Sequence, residues 1–443
     1  MSRMRVVGIA LVVTLLVSSL VLAAPVDPGS PLIPLQMRIL DNGMRVIVKE
    51  IPSYPIATVN VWVDAGAVGD PLGLSGLAHF FEHLTFKGTK TRPRGQIAYE
   101  VESLGGYLNA MTSLDYTTYF IVVPSDHVGQ AMEIQADALL NSLYEQAEID
   151  MERTVIHEEI RLRVDSPQTH LMDMAIEHLF AGTIYAKNVI GSVEELANVQ
   201  RGEVVDFYTQ HYVPNNMVLV VAGNVDAEAI FSQAEELYGS MLAKSLPNIE
   251  YITIPKLDAI VYLQEERQLQ QSYVFLGHPA PGSNTHDAAA LTMAGVILGG
   301  GRSSRLYKRL VEEEQIVTSI SASYNGFSDI GLFGILAELD PSQRERLTEV
   351  VQEELTRLQR EPVTEAELER AQAMARSSLA FSTESSTNVA MYLGQTEIYG
   401  GVMGAVNHGA LLEQITAEDI QRAAQSFLQP SAYIHSEISP VGR

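Results

Sequence analysis

The segment His79-Phe80-Phe81-Glu82-His83 is the feature that most restricts how the chain can fold. On an α-helix, residues four apart lie one turn apart on the same face, so His79 and His83 can both place a ring nitrogen about 2 Å from one metal ion. Glu82 shares that face and is better placed as a general base beside a metal-bound water than as a ligand. The pattern predicts a helix with one zinc ion per chain. The alternative is two solvent-facing histidines on an amphipathic helix.

A third ligand is expected in the segment from Glu152 to Glu159. If this segment is helical, Glu152, Val155, Ile156 and Glu159 form one stripe, which puts two carboxylates on an otherwise apolar inward face. Inward carboxylates are costly unless they are paired or coordinate a metal, and two histidines with one carboxylate form a common catalytic zinc set. The stripe therefore predicts the missing ligand, whereas the intervening His157 and Glu158 are expected at the surface.

The order of strand-like and helix-like segments predicts two similar units. A chain of 443 residues is long enough for two cores. Asn42-Gly43 lies between alternating apolar runs and predicts a hairpin, and Ser75 is expected to cap the helix that carries the two histidines. The same order recurs more faintly in the second half, where the corresponding helix, residues 288–298, has no histidine. These patterns predict domains at residues 35–244 and 257–443, joined by a linker at 245–256, with the metal in the first domain.

The N-terminus and the overall composition bear on location and partners. An apolar run preceded by arginines and followed by Ala23 and Ala24 predicts a secretory signal peptide at residues 1–23, although an uncleaved membrane anchor is the alternative. Export to a periplasm is expected, or to the extracellular space. The chain has no cysteine, which excludes disulfides and thiolate metal sites. A net charge of -25 argues against nucleic acid and anionic lipid as partners and mildly favours neutral or basic substrates.

Several longer stretches carry a resemblance to a known family. Besides the two segments above, they are residues 105–113 (Gly-Gly-Tyr-Leu-Asn-Ala-Met-Thr-Ser), 212–217 (Tyr-Val-Pro-Asn-Asn-Met) and 299–306 (Gly-Gly-Gly-Arg-Ser-Ser-Arg-Leu). With these stretches, nearly the whole chain beyond the signal resembles the pitrilysin-type inverzincins, zinc metallopeptidases that include the mitochondrial processing peptidase and insulin-degrading enzyme.

This resemblance implies an α+β fold of two homologous domains, each an antiparallel sheet flanked by helices, which together form half of a clamshell. It implies peptide-bond hydrolysis with zinc bound by His79, His83 and Glu159, and Glu82 as general base. Glu152 would support the site from nearby without binding the metal. The strand made of Asn109, Ala110, Met111 and Thr112 would bind the peptide substrate as an added edge strand, a mode that needs little side-chain selectivity.

One part of the family pattern is missing. Family members usually carry an Arg, with a Tyr seven residues later, that hold the substrate backbone over the zinc; here those places fall on Val311 and Thr318, which cannot do that work. The chain is therefore similar to the metal-bearing subunit of bacterial heterodimers, and a homologous partner is expected to supply the pair. A homodimer, or replacement by Arg309 or Tyr324, stays open, as does a non-catalytic structural, assembly or peptide-binding subunit.

Overall fold

The computed structural model describes residues 30–53, 55–246 and 252–442. The predicted signal peptide and part of the predicted linker lie outside these residues, so both remain predictions. Within the described ranges, no helix combines the length and the apolar character needed to cross a membrane.

Both halves of the described chain contain strands and helices. The strands are β1 (Gln36–Ile39), β2 (Arg45–Glu50), β3 (Ile56–Val63), β4 (Tyr107–Thr112), β5 (Thr117–Pro124), β6 (Met217–Gly223), β7 (Val261–Arg267), β8 (Ser272–Pro281), β9 (Val317–Gly326), β10 (Ile330–Leu339) and β11 (Ile434–Pro440). The α-helices are α1 (Leu77–Thr85), α2 (Gln96–Ser103), α3 (Val128–Asn141), α4 (Gln146–Asp165), α5 (Pro167–Leu179), α6 (Val193–Leu196), α7 (Arg201–His211), α8 (Ala227–Tyr238), α9 (His286–Gly299), α10 (Arg344–Arg360), α11 (Glu365–Phe381), α12 (Ser386–Gly400), α13 (Val402–Gln414) and α14 (Ala417–Phe427).

The strands form two sheets with the same topology. The first has the order β1-β2-β6-β3-β5-β4 and the second the order β7-β11-β8-β10-β9. If β1 is set aside, each strand of the first sheet corresponds to the strand five places later in the second. Even the one parallel pair recurs, as β2 with β6 and as β7 with β11, whereas the other pairs are antiparallel. The predicted α+β architecture of two similar units is confirmed.

Each half covers one face of the other half's sheet. Helix α5 of the first half packs on β8 and β11, and the equivalent helix α12 of the second half packs on β3 and β6. Trp62 and Val220 of the first sheet are buried together with Leu393 of α12 in one apolar cluster. Leu171 of α5 shares another cluster with Ile438 of β11. The opposite face of each sheet is buried under helices of its own half. Both sheets are therefore closed by an exchange between the halves.

Three details differ from the sequence-based predictions. Helix α1 does not begin at a Ser75 cap, because Gly76 takes the N-cap position with φ +91°, a conformation that favours glycine. Gly88 is the residue at which the sequence predicts the end of this helix, but the helix already ends at Thr85. Helix α9 begins at His286, so the second half does have a histidine on the equivalent helix, although position 290, four residues on, is alanine. The sequence patterns also gave no clear signal for α8, α12, α13 and β11.

Candidate metal centre

Aromatic packing and a distant carboxylate hold helix α1 in place. Phe81 contacts the rings of Tyr144, Phe207 and Tyr212 with ring centroids 4.4–5.8 Å apart. At the start of the helix, the Asp70 carboxylate accepts hydrogen bonds from the backbone N–H groups of Gly76 and Ala78 at 2.7 and 2.8 Å. Asp70 therefore does what was predicted for Ser75, whose hydroxyl instead donates to a backbone carbonyl elsewhere. Burial nevertheless raises the pKa of Asp70 to about 7.

Two histidines and one glutamate converge where α1 meets α4. The Nε2 atoms of His79 and His83 lie 3.8 and 3.5 Å from Oε2 of Glu159. The three ligand atoms all lie within 4.8 Å of one another, and no other group of this kind is found in the described ranges. Zinc bonds of about 2.0–2.2 Å at tetrahedral angles separate neighbouring ligand atoms by about 3.4 Å, so small side-chain adjustments would bring all three onto one ion.

A chain of contacts behind His83 fixes which of its nitrogens faces the site. His83 Nδ1 donates to Oε2 of Glu152 at 3.1 Å, and the Lys87 ammonium lies 2.7 Å from the other carboxylate oxygen. Because an ionised carboxylate only accepts, Nδ1 must carry the proton and Nε2 keeps its lone pair for a metal. The Glu152 side chain is only 4% exposed, and its charge is matched by Lys87. Glu152 thus contacts a proposed ligand and lies behind it.

The electrostatics of His79 suit a neutral metal ligand. Burial, together with the nearby His83 and Arg163, lowers the pKa of His79 to about 3, so the ring is uncharged at neutral pH. Its Nδ1 is buried and has no hydrogen-bond partner in the described part of the chain. Two imidazole nitrogens and one carboxylate oxygen form a donor set that zinc accepts. The residues present therefore fit zinc.

Glu82 lies between the two histidines on the same helix, and a residue of the first sheet holds its carboxylate in place. Its Oε2 accepts a hydrogen bond from the Thr112 hydroxyl at 2.6 Å. Burial raises the pKa of Glu82, with Glu159 acting in the same direction, while the Thr112 hydrogen bond and His83 oppose the rise. A carboxylate with a raised pKa is a better proton acceptor at neutral pH than an ordinary surface glutamate. The arrangement suits a general base.

Strand β4, which was predicted to bind substrate, forms one edge of the first sheet. It pairs only with β5, so its other side is unpaired within the described chain. Its residues alternate between exposed and half-buried, and the half-buried Thr112 contacts Glu82. Asn109 accepts a hydrogen bond from the backbone N–H of Ala110 through its own side chain. An exposed strand edge thus runs directly to the proposed base.

Most residues predicted for the site are brought together, but one detail of the predicted stripe is wrong. Glu152, Ile156 and Glu159 face α1. Val155 lies at the side of this stripe and is 45% exposed, so the buried stripe of α4 is narrower than predicted. Lys87 was not predicted. It lies two residues beyond the end of α1, so helical spacing gave no signal for its contact with Glu152.

The places expected for the Arg and Tyr pair hold side chains with other roles. Val311 packs against the second core, and the Thr318 hydroxyl donates to the Glu338 carbonyl. The two possible replacements are engaged within the second half as well. Arg309 pairs with Glu314 and other glutamates, and the Tyr324 hydroxyl donates to a backbone carbonyl.

Comparison with known proteins assigns the family. The family model described as insulinase (peptidase family M16) matches residues 45–192, and the one described as the peptidase M16 inactive domain matches residues 198–375. An uncharacterized zinc protease of Mycobacterium tuberculosis is 30% identical over 413 residues, which cover 91% of this chain and 93% of that protein. The chain belongs to peptidase family M16.

Other M16 relatives extend the match in sequence and in fold. An uncharacterized zinc protease of Bacillus subtilis is 27% identical over 409 residues, which cover 90% of this chain and 97% of that protein. The crystal structure of a protease from Helicobacter pylori has a TM-score of 0.86 at 25% identity and covers 92% of this chain and 99% of that one. A chain of complex III from Candida albicans shares the fold, with a TM-score of 0.78 at 18% identity and coverage of 91% and 95%. The relatives' names support a peptidase in general, with zinc as its metal.

Proposed function

We propose that this M16 chain is a zinc-dependent endopeptidase that hydrolyses peptides or unfolded protein segments. The observation that carries the proposal is the convergence of His79 Nε2, His83 Nε2 and Glu159 Oε2 within 4.8 Å, beside the half-buried Glu82 on the same helix. A three-ligand set that leaves a position for water is typical of catalytic zinc rather than structural zinc.

The residues around the metal divide the remaining work. Bound zinc supplies an acidified water and polarises the scissile carbonyl. Thr112 occupies Oε2 of Glu82, so Oε1 is the oxygen that takes the proton from the attacking water and returns it to the leaving amine. Glu152 keeps His83 oriented through its Nδ1 hydrogen bond, and the Lys87 ammonium contacts the other oxygen of Glu152.

The substrate would bind as an extra strand on the free edge of β4. Main-chain hydrogen bonds to an edge strand hold an extended peptide whatever its sequence, which suits unfolded segments. The Thr112 hydrogen bond to Glu82 ties the position of that edge to the position of the base. The Ala110 N–H is the group that Asn109 would have to release as the peptide pairs.

A homologous partner would complete the active site. Val311 and Thr318 stand at the places expected for the Arg and Tyr that hold the substrate, and both contact their own half of the chain. M16 proteins often work as heterodimers, and we place this chain as the metal-bearing subunit of such a pair, with a homodimer as the less favoured arrangement. We also propose export to the periplasm through the segment 1–23.

The decisive test combines metal content with peptide cleavage. We expect the purified chain to bind one zinc, to cleave quenched fluorescent peptides weakly alone, and to cleave them strongly with its partner. Glu82→Gln should keep the zinc and lower kcat at least about a thousandfold, since both the base and the proton donor are lost. Retained activity in Glu82→Gln would refute the mechanism. Full activity of the chain as a homodimer would refute the partner requirement, and zinc-loaded chain that binds peptides but never cuts them with any partner would indicate a peptide-binding subunit.

A further inference from the structure

The two faces of strand β4 look toward different parts of the molecule. Leu108 and Ala110 pack against the first core, and Thr112 bonds to Glu82, so this face belongs to the metal helix. Side chains alternate along a strand, which turns Tyr107 and Met111 to the opposite face. Both of these side chains are exposed, at 54% and 38%. A peptide paired with β4 would likewise send every second side chain away from the metal.

Two adjacent cavities open along that opposite face. One, of about 450 Å³, is bounded by Met111 and by Phe381 at the end of α11. The other, of about 390 Å³, is bounded by Tyr107 and by Ser385 at the start of α12. Asn388 lines both cavities, so they are neighbours along the strand. Phe381 is 67% exposed, an unusual exposure for a phenylalanine at the rim of a cavity.

The lining of both cavities is uncharged. Neither includes an Asp, Glu, Lys or Arg, although the chain as a whole has a net charge of -25. By contrast, the cavity beside the end of α1 is lined by Lys87, Arg94 and Glu148, among others. Moving a charged side chain out of water against an uncharged lining costs free energy, whereas covering exposed apolar surface is favourable. The groove formed by the two cavities would select against charged side chains.

We propose that these cavities are two specificity subsites for bulky uncharged side chains of a peptide bound to β4, four residues apart in its sequence. This inference rests on the proposed addition of substrate to β4. The spacing follows from Tyr107 and Met111, which are four residues apart and therefore about 13 Å apart along the strand. Side chains on one face of an added strand recur every second residue, so positions n and n+4 reach the two cavities. Phe381 contacts the side chain in the larger cavity.

Binding to an inactive enzyme tests the subsites without requiring cleavage. The probes are fluorescein-labelled peptides of twelve residues, built on Ser and Thr, with Phe at positions 4 and 8, with Asp at positions 4 and 8, or with Phe at positions 4 and 7. They are titrated against zinc-loaded Glu82→Gln chain by fluorescence anisotropy. The peptide with Phe four apart should bind about tenfold more tightly than either of the others, as expected when an apolar side chain is buried.

Phe381→Lys tests the larger subsite directly. The substitution leaves the exposed helix end intact and adds a cation, so it should remove the preference for Phe and strengthen binding of the Asp peptide. Leu242→Lys is the matched control, because Leu242 is also exposed, at 81%, and lines neither cavity. It should behave like the parent chain, and circular dichroism checks the fold of both variants.

The outcomes separate this inference from the proposed function. If the Phe and Asp peptides bind equally well, or if Phe381→Lys leaves the preference unchanged, the subsites are refuted while strand addition stands. If the spacing of three binds as well as the spacing of four, the register is wrong. If none of the peptides binds, strand addition to β4 is refuted together with the subsites.

Discussion

Helices α1 and α9 occupy equivalent places in the two halves of the molecule, yet within the described ranges only α1 contributes to a group of metal-ligand side chains. Helix α1 is nine residues long and turns its two histidines and Glu82 toward α4 and β4. Helix α9 is fourteen residues long, and ten of its residues are buried. In the first half, the space between helix and edge strand holds polar side chains. In the second half, the C-terminal end of α9 approaches the backbone of its edge strand directly, at Gly299.

A glycine at the end of α9 allows this helix to lie directly against the backbone of β9 in the second half. A Cβ on Gly299 would lie 2.1 Å from the backbone nitrogen of Ala322 in β9, the edge strand that corresponds to β4. The first half has larger side chains in this region, so its helix and strand are joined by the Glu82–Thr112 hydrogen bond instead. One topology therefore gives either a chemical site or a packed core, depending on a few side chains at the interface of helix and edge strand.

The largest effect that separates the halves is expected for Glu159→Ala. Loss of one of three protein ligands should weaken zinc binding by more than the 10- to 100-fold typical of changes behind the ligands. Chelator competition measures the affinity. Glu369→Ala, an exposed glutamate on the equivalent helix α11, is the control and should bind zinc normally. Equal zinc affinity in both variants would refute the ligand assignment.

Gly299→Ala tests whether the close approach of α9 to β9 depends on this glycine. The added methyl has no space beside Ala322, so the free energy of unfolding should fall by about 2–3 kcal/mol. Chemical denaturation with urea measures the change. Gly202→Ala in α7, where a Cβ would meet no atom within 4 Å, should be neutral or slightly stabilising. A Gly299→Ala variant as stable as the parent would show that α9 and β9 do not need this close approach.

Lys87→Met tests how far zinc affinity depends on the residues that contact the proposed ligand His83 from behind. Without the ammonium, Glu152 loses the charge partner that holds it against His83, and zinc affinity should fall about tenfold. Lys87→Arg should restore most of the affinity, because it keeps the cation. Lys90→Met, an exposed lysine nearby, should have no effect. If Lys87→Arg fails as badly as Lys87→Met while both fold, charge is not what Lys87 contributes.

Acidification should act on both halves of the zinc-free chain. Burial lowers the pKa of His79 and of His278 to about 3 and that of His435 to about 4, against about 6.5 when the chain is unfolded. Between these values the three histidines bind more protons in the unfolded chain, so their contribution to stability is full above pH 6.5 and is lost as the pH drops toward 4. Asp70, whose pKa is raised to about 7, acts in the opposite direction. Urea unfolding from pH 7.5 to 4.5 measures the slope.

A variant of the second half sharpens this pH test. His278→Leu should flatten the dependence of stability on pH, because it removes one fully buried imidazole whose two nitrogens have no partner in the described ranges. His178→Gln, at an exposed position, is the control and should leave the slope unchanged. An unchanged slope in His278→Leu would mean that this histidine is not buried as a neutral ring.

The sequence predicted the metal-bearing half better than the rest, for identifiable reasons. The i, i+4 spacing of His79 and His83 places them one turn apart on the same face of any helix. The two carboxylates of α4 could be predicted because they interrupt a stripe of apolar residues. The contacts of Asp70 and Lys87 were not predicted, because both residues lie in loops, where the spacing in sequence does not determine the distance between side chains. Helix α12 was not predicted, because its apolar residues contact the sheet of the other half and no local sequence pattern indicates that contact.

The exchange of α5 and α12 between the halves also sets an order of events during synthesis. Trp62 and Val220 of the first sheet are buried in one apolar cluster with residues of α12 and α13, which lie near the end of the chain. The half with the candidate metal centre therefore keeps an open apolar face until α12 and α13 have left the ribosome, and contacts that distant in sequence form slowly. The nascent chain would be a client for chaperones for most of its elongation. A ribosome that stops before α12 would release a chain that has both histidines and Glu159 but lacks the helix that covers the first sheet.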